Sequence, residues 1–385
     1  MNEMYCLWAE KELKKVKEKL EWVSENNKYK LPYTTNENGI YDNRADSEKE
    51  FRIDDGVNWW TNGFWSGILW LLYHDTRDYK YCEYARIQEK LLAPSFEMYY
   101  GLHHDVGFMF VPSAVADFRL TGNTEARRTA LHAASLLAGR FNEKGKYIRA
   151  WNDLDDCDTR GWAIVDCMFN ISLLFWASRE TKDPRYAHIA KAHATTVMNS
   201  FVRENGSVCH IVEFDPVSGK RIKSYGGQGY AHGSSWTRGQ GWGLYGFISA
   251  YRNSGDDAYL RTAEKIADYC LSKIDDSGII PIDFDQPKEP AYEDSCGACI
   301  IAGGLMDLSE HMEDEEKKNK YLDTAFKIIK TIAEKRADYS SDCEAIVKNC
   351  SASYHNKKHH ETMVYADYFY IEALYKLAGS EFVMW

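Results

Sequence analysis

Helical periodicity runs from one end of this sequence to the other, and no other property leaves so few architectures open. Apolar residues return at three- and four-residue steps near 3–24, 62–75, 80–99, 107–121, 123–140, 159–181, 183–201, 236–253, 256–274, 293–311, 317–335 and 361–378. That pattern predicts twelve helices. Several links are short and built from turn residues, as in Thr121-Gly-Asn123, Lys182-Asp-Pro184 and Asn253-Ser-Gly-Asp256. Short links make successive helices antiparallel neighbours. Helices in hairpin pairs predict an all-α, six-fold, double-layered (α/α)6 barrel. The more apolar member of each pair would lie inside, with a site at one mouth. A helical solenoid would require a repeat of fixed period, and the sequence has none. Two stretches break the pattern. Residues 205–228 alternate and turn like a small β-hairpin, and residues 25–60 read as an irregular loop rich in Asn, Asp and Tyr. No low-complexity linker divides the chain, so one domain over 1–385 is expected.

Composition narrows the function. A net charge of -11 argues against a nucleic-acid surface, which needs a basic patch. It leaves room for a small anion, because one well-placed Arg outweighs the global balance at short range. Met1 to Val23 mixes Glu and Lys with apolar residues and has no uninterrupted apolar core, so a signal peptide is not expected. No apolar run approaches the roughly 20 residues that span a bilayer. The ten Cys are scattered, which fits reduced thiols in a cytoplasm. Cys296 and Cys299 form a Cys-x-x-Cys with no second pair, so packing is expected there rather than metal or redox work. A monomer or weak homo-oligomer is expected.

The stretch from Asp158 to Trp176 reads as a buried helix capped by Asp158 or Thr159, with Asp166 in its middle. Helical steps would place Trp162, Asp166, Phe169, Asn170 and Leu173 on one face. A carboxylate sunk there must be paired, hydrogen-bonded or protonated. A protonated one is a general acid, whereas a paired one is a structural tie.

A second carboxylate, Asp105, stands in Gly101-Leu-His-His-Asp-Val-Gly-Phe108 at the entrance to a helix. It is either an N-cap or the partner of Asp166, since two acids in one cleft push their pKa values apart. Arg238 begins a helix interrupted by Gly239, Gly241 and Gly243, each costing of the order of 1 kcal/mol in propensity. Those glycines imply close approach of a helix or a ligand. The guanidinium could clamp a ligand carboxylate or pair with a protein Asp.

Aromatic residues make up 14% of the chain, and many sit among Asn, Gln, Arg and Gly rather than on apolar stripes. Flat aromatic walls beside polar groups suit a sugar ring. Most of the Trp residues must still be packing residues.

Six motifs occur in a telling order: Asn-Trp-Trp-Thr-Asn-Gly-Phe-Trp-Ser-Gly-Ile-Leu-Trp (58–70), His-His-Asp-Val-Gly-Phe (103–108), Ile-Val-Asp-Cys-Met-Phe-Asn (164–170), Gly-Ser-Ser-Trp-Thr-Arg-Gly-Gln-Gly-Trp-Gly-Leu-Tyr-Gly (233–246), Tyr-Glu-Asp-Ser-Cys-Gly-Ala (292–298) and Asp-Tyr-Phe-Tyr-Ile-Glu-Ala-Leu (367–374). Together they resemble the unsaturated glucuronyl hydrolases, glycoside hydrolase family 88, over essentially the whole chain. That family has a six-fold α/α barrel. The resemblance implies hydrolysis of lyase-generated oligosaccharides whose non-reducing uronic acid carries a C4=C5 double bond. The vinyl ether is hydrated, with no metal and no cofactor, and the anomeric carbon is not attacked.

By the same resemblance Asp166 would protonate C4 and take a proton from the water adding at C5, with Asp105 as its partner. His210, Gln228, Arg238 and Trp242 would surround the unsaturated ring. Trp60, His104 and Trp151 would line the cleft, and Ser353, Tyr354 and His355 would border the aglycone side. Lys357 and Lys358 would either recognise sulfate or form a solvated pair. Three rivals remain: an unsaturated rhamnogalacturonyl hydrolase acting on pectin fragments, an inverting glycosidase working at the anomeric centre, and a non-catalytic carbohydrate-binding protein.

Overall fold

The computed structural model describes residues 2–46, 55–97, 101–153 and 157–385. In chain order its helices and strands are α1 (Glu3–Asn27), α2 (Phe64–Thr76), α3 (Tyr79–Leu92), α4 (Val106–Phe110), α5 (Ala116–Thr121), α6 (Thr124–Ala138), β1 (Phe141–Asn142), β2 (Tyr147–Ile148), β3 (Trp162–Ile164), α7 (Cys167–Asn170), α8 (Ser172–Thr181), α9 (Pro184–Ser200), β4 (Ile211–Phe214), β5 (Arg221–Tyr225), α10 (Thr237–Ser254), α11 (Asp257–Lys273), α12 (Ser295–Ser309), α13 (Glu315–Lys335) and α14 (Val364–Leu377). A π-turn, Val111–Val115, joins α4 to α5 into one continuous rod.

These helices form two concentric layers. The inner ring runs α2, α4–α5, α7–α8, α10, α12, α14, and it closes where α14 packs on α2. The outer layer is α1, α3, α6, α9, α11 and α13. Burial explains the sorting. Every residue of α12 is buried. Helix α13 buries one stripe, Tyr321, Ala325, Ile328, Ile329 and Ile332, and leaves its charged face in water.

The connectors follow a local rule. Helix α2 ends on Arg77 at φ 57, α5 on Gly122 at φ 77, α8 on Lys182 at φ 58 and α10 on Gly255 at φ 68. The residue after each of these caps the next helix: Asp78, Asn123, Asp183 and Asp256 each accept a backbone N–H with the side chain. A left-handed residue followed by an Asx cap turns the chain back within two residues.

The inner helices start differently. None of α2, α4, α7, α10, α12 and α14 receives a side-chain cap, although Asp105, Asp166 and Asp294 occupy the cap positions of α4, α7 and α12. All six inner N-termini gather at one mouth of the barrel. Their C-terminal ends gather at the other, where Arg252 of α10 and Lys376 of α14 both pair with Asp307 of α12.

One expected helix is not there as read. Residues 162–164 form strand β3, followed by a turn and the short α7, so Asp166 precedes a helix and does not lie within one. Trp162 therefore does not share a helical face with Asp166. Strand β3 pairs antiparallel with β4, Trp162 opposite Glu213, and β4 pairs with β5. The expected hairpin is thus two strands of a three-stranded sheet. The end of the expected helix 80–99 and residues 47–54 of the expected loop 25–60 lie outside the described residues. Among the described residues no helix is long and apolar enough to cross a membrane. All ten cysteines are free thiols, and Cys296 and Cys299 are buried in α12 as packing residues.

Candidate active site

The two acids stand on adjacent turns at the mouth. Strand β3 delivers Asp166: Val165 N–H donates to the carbonyl of His210 at 3.0 Å, and the chain then turns into α7. Asp105 opens α4, the neighbouring member of the inner ring. Gly107 lets these turns meet, because a Cβ there would lie 2.5 Å from Asn170 Cα. Asn170 staples them. Its Oδ1 accepts from Phe108 N–H at 2.6 Å, and its Nδ2 donates to Asp105 Oδ1 and to the Asp166 carbonyl, both at 3.2 Å. The Cys167 thiol lies near both carboxylates. Burial first, then the charge of each, pushes its pKa well up.

Neither acid is a cap. Asp105 is 7% exposed, with His104 Nδ1 at 3.3 Å from one oxygen and His103 Nδ1 at 3.4 Å from the other. Burial holds the His104 imidazole far below its ordinary pKa, so the ring is neutral. It stands edge-on to Trp151. His103, His104 and Asp105 bring ligand-type atoms within 4.8 Å of one another, the one such group among the described residues. In this structure the two imidazoles border Asp105 without clamping its carboxylate: His103 Nδ1 accepts the Asp105 backbone N–H at 3.4 Å, and His104 Nδ1 makes no hydrogen bond.

Asp166 faces His210. His210 Nδ1 accepts the backbone N–H of Gln228 at 3.0 Å, so the neutral ring carries its proton on Nε2. That atom lies 3.5 Å from Asp166 Oδ2. Both atoms are buried and neither makes a hydrogen bond within the protein. A donor and an acceptor side by side without a bond are placed to engage a third group. Gly227, at φ 58, makes room for this arrangement, since a Cβ would fall 2.0 Å from His210 Nδ1.

Aromatic rings wall the mouth. Trp60 is half-buried against Tyr365 and Phe108, and Trp151 lies between His104 and Trp162. Gln228 ties two loops together, its Nε2 donating to Ala352 O at 2.7 Å and its carbonyl accepting from Tyr354 N–H. Ser353 is half-buried and Tyr354 is packed edge-on against Tyr230 and Tyr292, while His355 is exposed and bonded to the Tyr230 carbonyl. Lys357 and Lys358 are exposed.

Two of the expected ligands sit elsewhere. Arg238 is 1% exposed and points into the protein. Its Nε and Nη2 lie 3.0 Å from Asp294 Oδ2, its Nη1 bonds the Tyr365 hydroxyl, and its Nη2 donates to Ser351 O at 2.6 Å. With Asp294, Tyr365 and Ser351 as partners the guanidinium is a buried ion pair in this structure. Trp242 has no exposed surface and packs on Phe108, Phe169 and Phe369, and its Nε1 makes no hydrogen bond within the protein. The glycines of α10 serve helix contact: a Cβ on Gly241 would meet Ile300 of α12 at 2.9 Å.

Three participants escaped the sequence reading: Asn170 as staple, His103 on Asp105, and Trp236, whose ring lies 4.2 Å from that of His210. Asn170 alone had a local signal, standing four residues after Asp166.

The profile of Glycosyl Hydrolase Family 88 matches residues 22–379. The chain is a family 88 glycoside hydrolase. It is 34% identical to the unsaturated glucuronyl hydrolase of Bacillus sp. (strain GL1), over 86% of this chain and 89% of that protein. It is 30% identical to the unsaturated chondroitin disaccharide hydrolase of Streptococcus pneumoniae (strain ATCC BAA-255 / R6), over 85% and 83% of the two chains. The crystal structure of the Streptococcus agalactiae unsaturated glucuronyl hydrolase superposes with a TM-score of 0.89 at 26% identity, covering 100% of this family 88 chain and 94% of that one. Family 88 membership makes the protein a glycosidase, and the two-layered ring is the fold of its structural neighbours.

Proposed function

We propose that this family 88 glycosidase releases the unsaturated 4-deoxy-hex-4-enuronic acid from the non-reducing end of lyase-generated glycosaminoglycan oligosaccharides. The names of the Bacillus and Streptococcus pneumoniae relatives support that substrate class. The observation that carries the chemistry is the pairing of two unbonded buried atoms, Asp166 Oδ2 and His210 Nε2, at the mouth.

The reaction is a hydration. Asp166 hands its proton to C4, and the electrons of the alkene form the new C–H bond while O5 shares the positive charge left on C5. Water adds at C5 and returns a proton to the same carboxylate, which acts as acid and then base. The hemiketal opens at the C5–O5 bond, and the aglycone leaves from C1. His210 Nε2–H orients the carboxylate or a substrate hydroxyl. Asp105, fixed by Asn170, holds ring hydroxyls and faces the developing charge.

An anionic substrate has to enter a protein of net charge -11. The uncapped N-termini of α2, α10 and α14 support that entry, since the first turn of a long helix carries partial positive charge.

An unsaturated chondroitin disaccharide is the test substrate, followed by loss of the alkene absorbance. Wild type is expected to remove the chromophore, and Asp166→Asn to abolish removal while retaining sugar binding. Sugar release with the chromophore intact would instead favour attack at the anomeric centre. Full activity in Asp166→Asn would end the assignment.

A further inference from the structure

We propose that Trp385 is a positioning residue for both acids, acting from the end of the barrel opposite them; the inference rests on the roles given above to Asp166 and Asp105.

The indole is 6% exposed, and its ring centre lies 4.4 Å from that of Phe169 and 6.0 Å from that of Phe108. Those two residues hold equivalent places. Phe169 follows Asp166 by three positions, and Phe108 follows Asp105 by three. One ring therefore supports the first turn beneath each carboxylate. Trp242 is the other ring that touches both phenylalanines, and it belongs to α10, a rigid inner helix. Trp385 belongs to 380–385, which has no helix or strand of its own.

An irregular segment does not place an indole unless something holds it. Here two arginines do. Arg119 Nη1 donates to the carbonyls of Val383 at 2.6 Å and Met384 at 3.1 Å, and Arg252 Nη2 donates to that of Trp385 at 3.3 Å. The indole N–H donates to Tyr368 Oη at 3.0 Å, Tyr368 donates to Glu372 at 2.8 Å, and Tyr245 donates to the other Glu372 oxygen at 2.9 Å. Ring position and ring rotation are both fixed. A plain plug would need only volume. This one has directional bonds and lies under both acid-bearing turns, so its displacement alters the relation between the carboxylates.

The test compares Trp385→Ala, Trp385→Phe and Arg119→Gln in the full chain, at a temperature where near-ultraviolet circular dichroism shows each folded. Turnover of an unsaturated disaccharide is measured, together with the carbon-13 titrations of the two aspartate carboxyls. Trp385→Ala is expected to lower kcat about tenfold or more with KM changed by less than about twofold, because sub-ångström misplacement acts on the chemical step. At least one aspartate titration should move by about half a unit. Trp385→Phe keeps the backbone bonds from Arg119 and Arg252 and a ring on Phe169 but loses the indole N–H, so its kcat should fall between those of wild type and Trp385→Ala.

A folded Trp385→Ala with wild-type kcat and unmoved titrations overturns the inference. Should that variant not fold, Arg119→Gln decides: a kcat loss without a KM rise supports the proposal, and unchanged kcat overturns it. If wild type itself fails to consume the disaccharide, the functional reading falls alone, and the carboxyl titrations still judge the role of Trp385.

Discussion

Asn170 Nδ2 donates to Asp105 Oδ1 at 3.2 Å, a bond that joins residues 65 positions apart and holds two acid-bearing turns in one geometry. The same amide group also bonds the Asp166 carbonyl, and its oxygen bonds Phe108 N–H. Catalysis by a carboxyl pair depends on such fixed spacing more than on either acid alone.

Asn170→Ala removes all three bonds inside a buried site, where each unsatisfied group costs about 1–3 kcal/mol. The Asp166 carbonyl keeps its bond from Phe169 N–H, so two groups lose a partner and stability should fall by about 2–6 kcal/mol, while kcat should fall by more than KM rises. Urea unfolding and steady-state kinetics measure the two effects. A variant with lowered stability but unchanged kcat would make Asn170 a structural residue only.

Gly227→Ala places a Cβ on the His210 ring and strains a left-handed backbone position, costing about 1–2 kcal/mol. The displaced imidazole loses its bond from Gln228 N–H, and with it the preference for a proton on Nε2. Turnover should fall about tenfold or more. His210 carbon and nitrogen chemical shifts should report a mixed tautomer, whereas wild type shows one.

Arg238→Met separates a clamp from a strut. Asp294 would be left as a buried charge without its partner, a loss of about 3–5 kcal/mol. The KM for the unsaturated uronate should stay within about threefold in the folded fraction. A KM that rises a hundredfold at wild-type stability would return Arg238 to the substrate.

Glu89 gives a pH signature away from the site. Burial, then the charge of Asp117, raises its carboxyl to about 8, with the Trp70 indole N–H donating to it at 3.2 Å. The folded state keeps a proton that the unfolded chain has lost above its ordinary 4.5. The folded state therefore binds more protons in this window, and the Glu89 contribution to stability declines as pH rises from about 4.5 to about 8. Glu89→Gln should remove that decline, so its stability relative to wild type should increase across the same window in thermal melts. A constant difference would contradict the sign.

Local chemistry was enough to read the two-layered ring. Helical period, Gly or Asx at the turns, and the alternation of one-faced with wholly apolar segments all act within a few residues. They left their mark at Gly122-Asn123 and Gly255-Asp256 and along α13 and α12. The six motifs likewise carried the family, because they are short and contiguous.

What the tertiary structure alone decided lies in contacts between distant positions. Trp162–Ile164 is apolar enough for helix or strand, and only pairing with Ile211–Phe214 makes it a strand. Arg238 looked available for a ligand until Asp294, 56 residues away, took its charge. Asp105 stood where caps stand, yet its carboxylate makes no cap bond and instead accepts from Asn170, 65 residues away. Periodicity is a property of neighbours in the chain and can be read there; the partner of a buried charge is set by which segments pack together, and that is known only once they have packed.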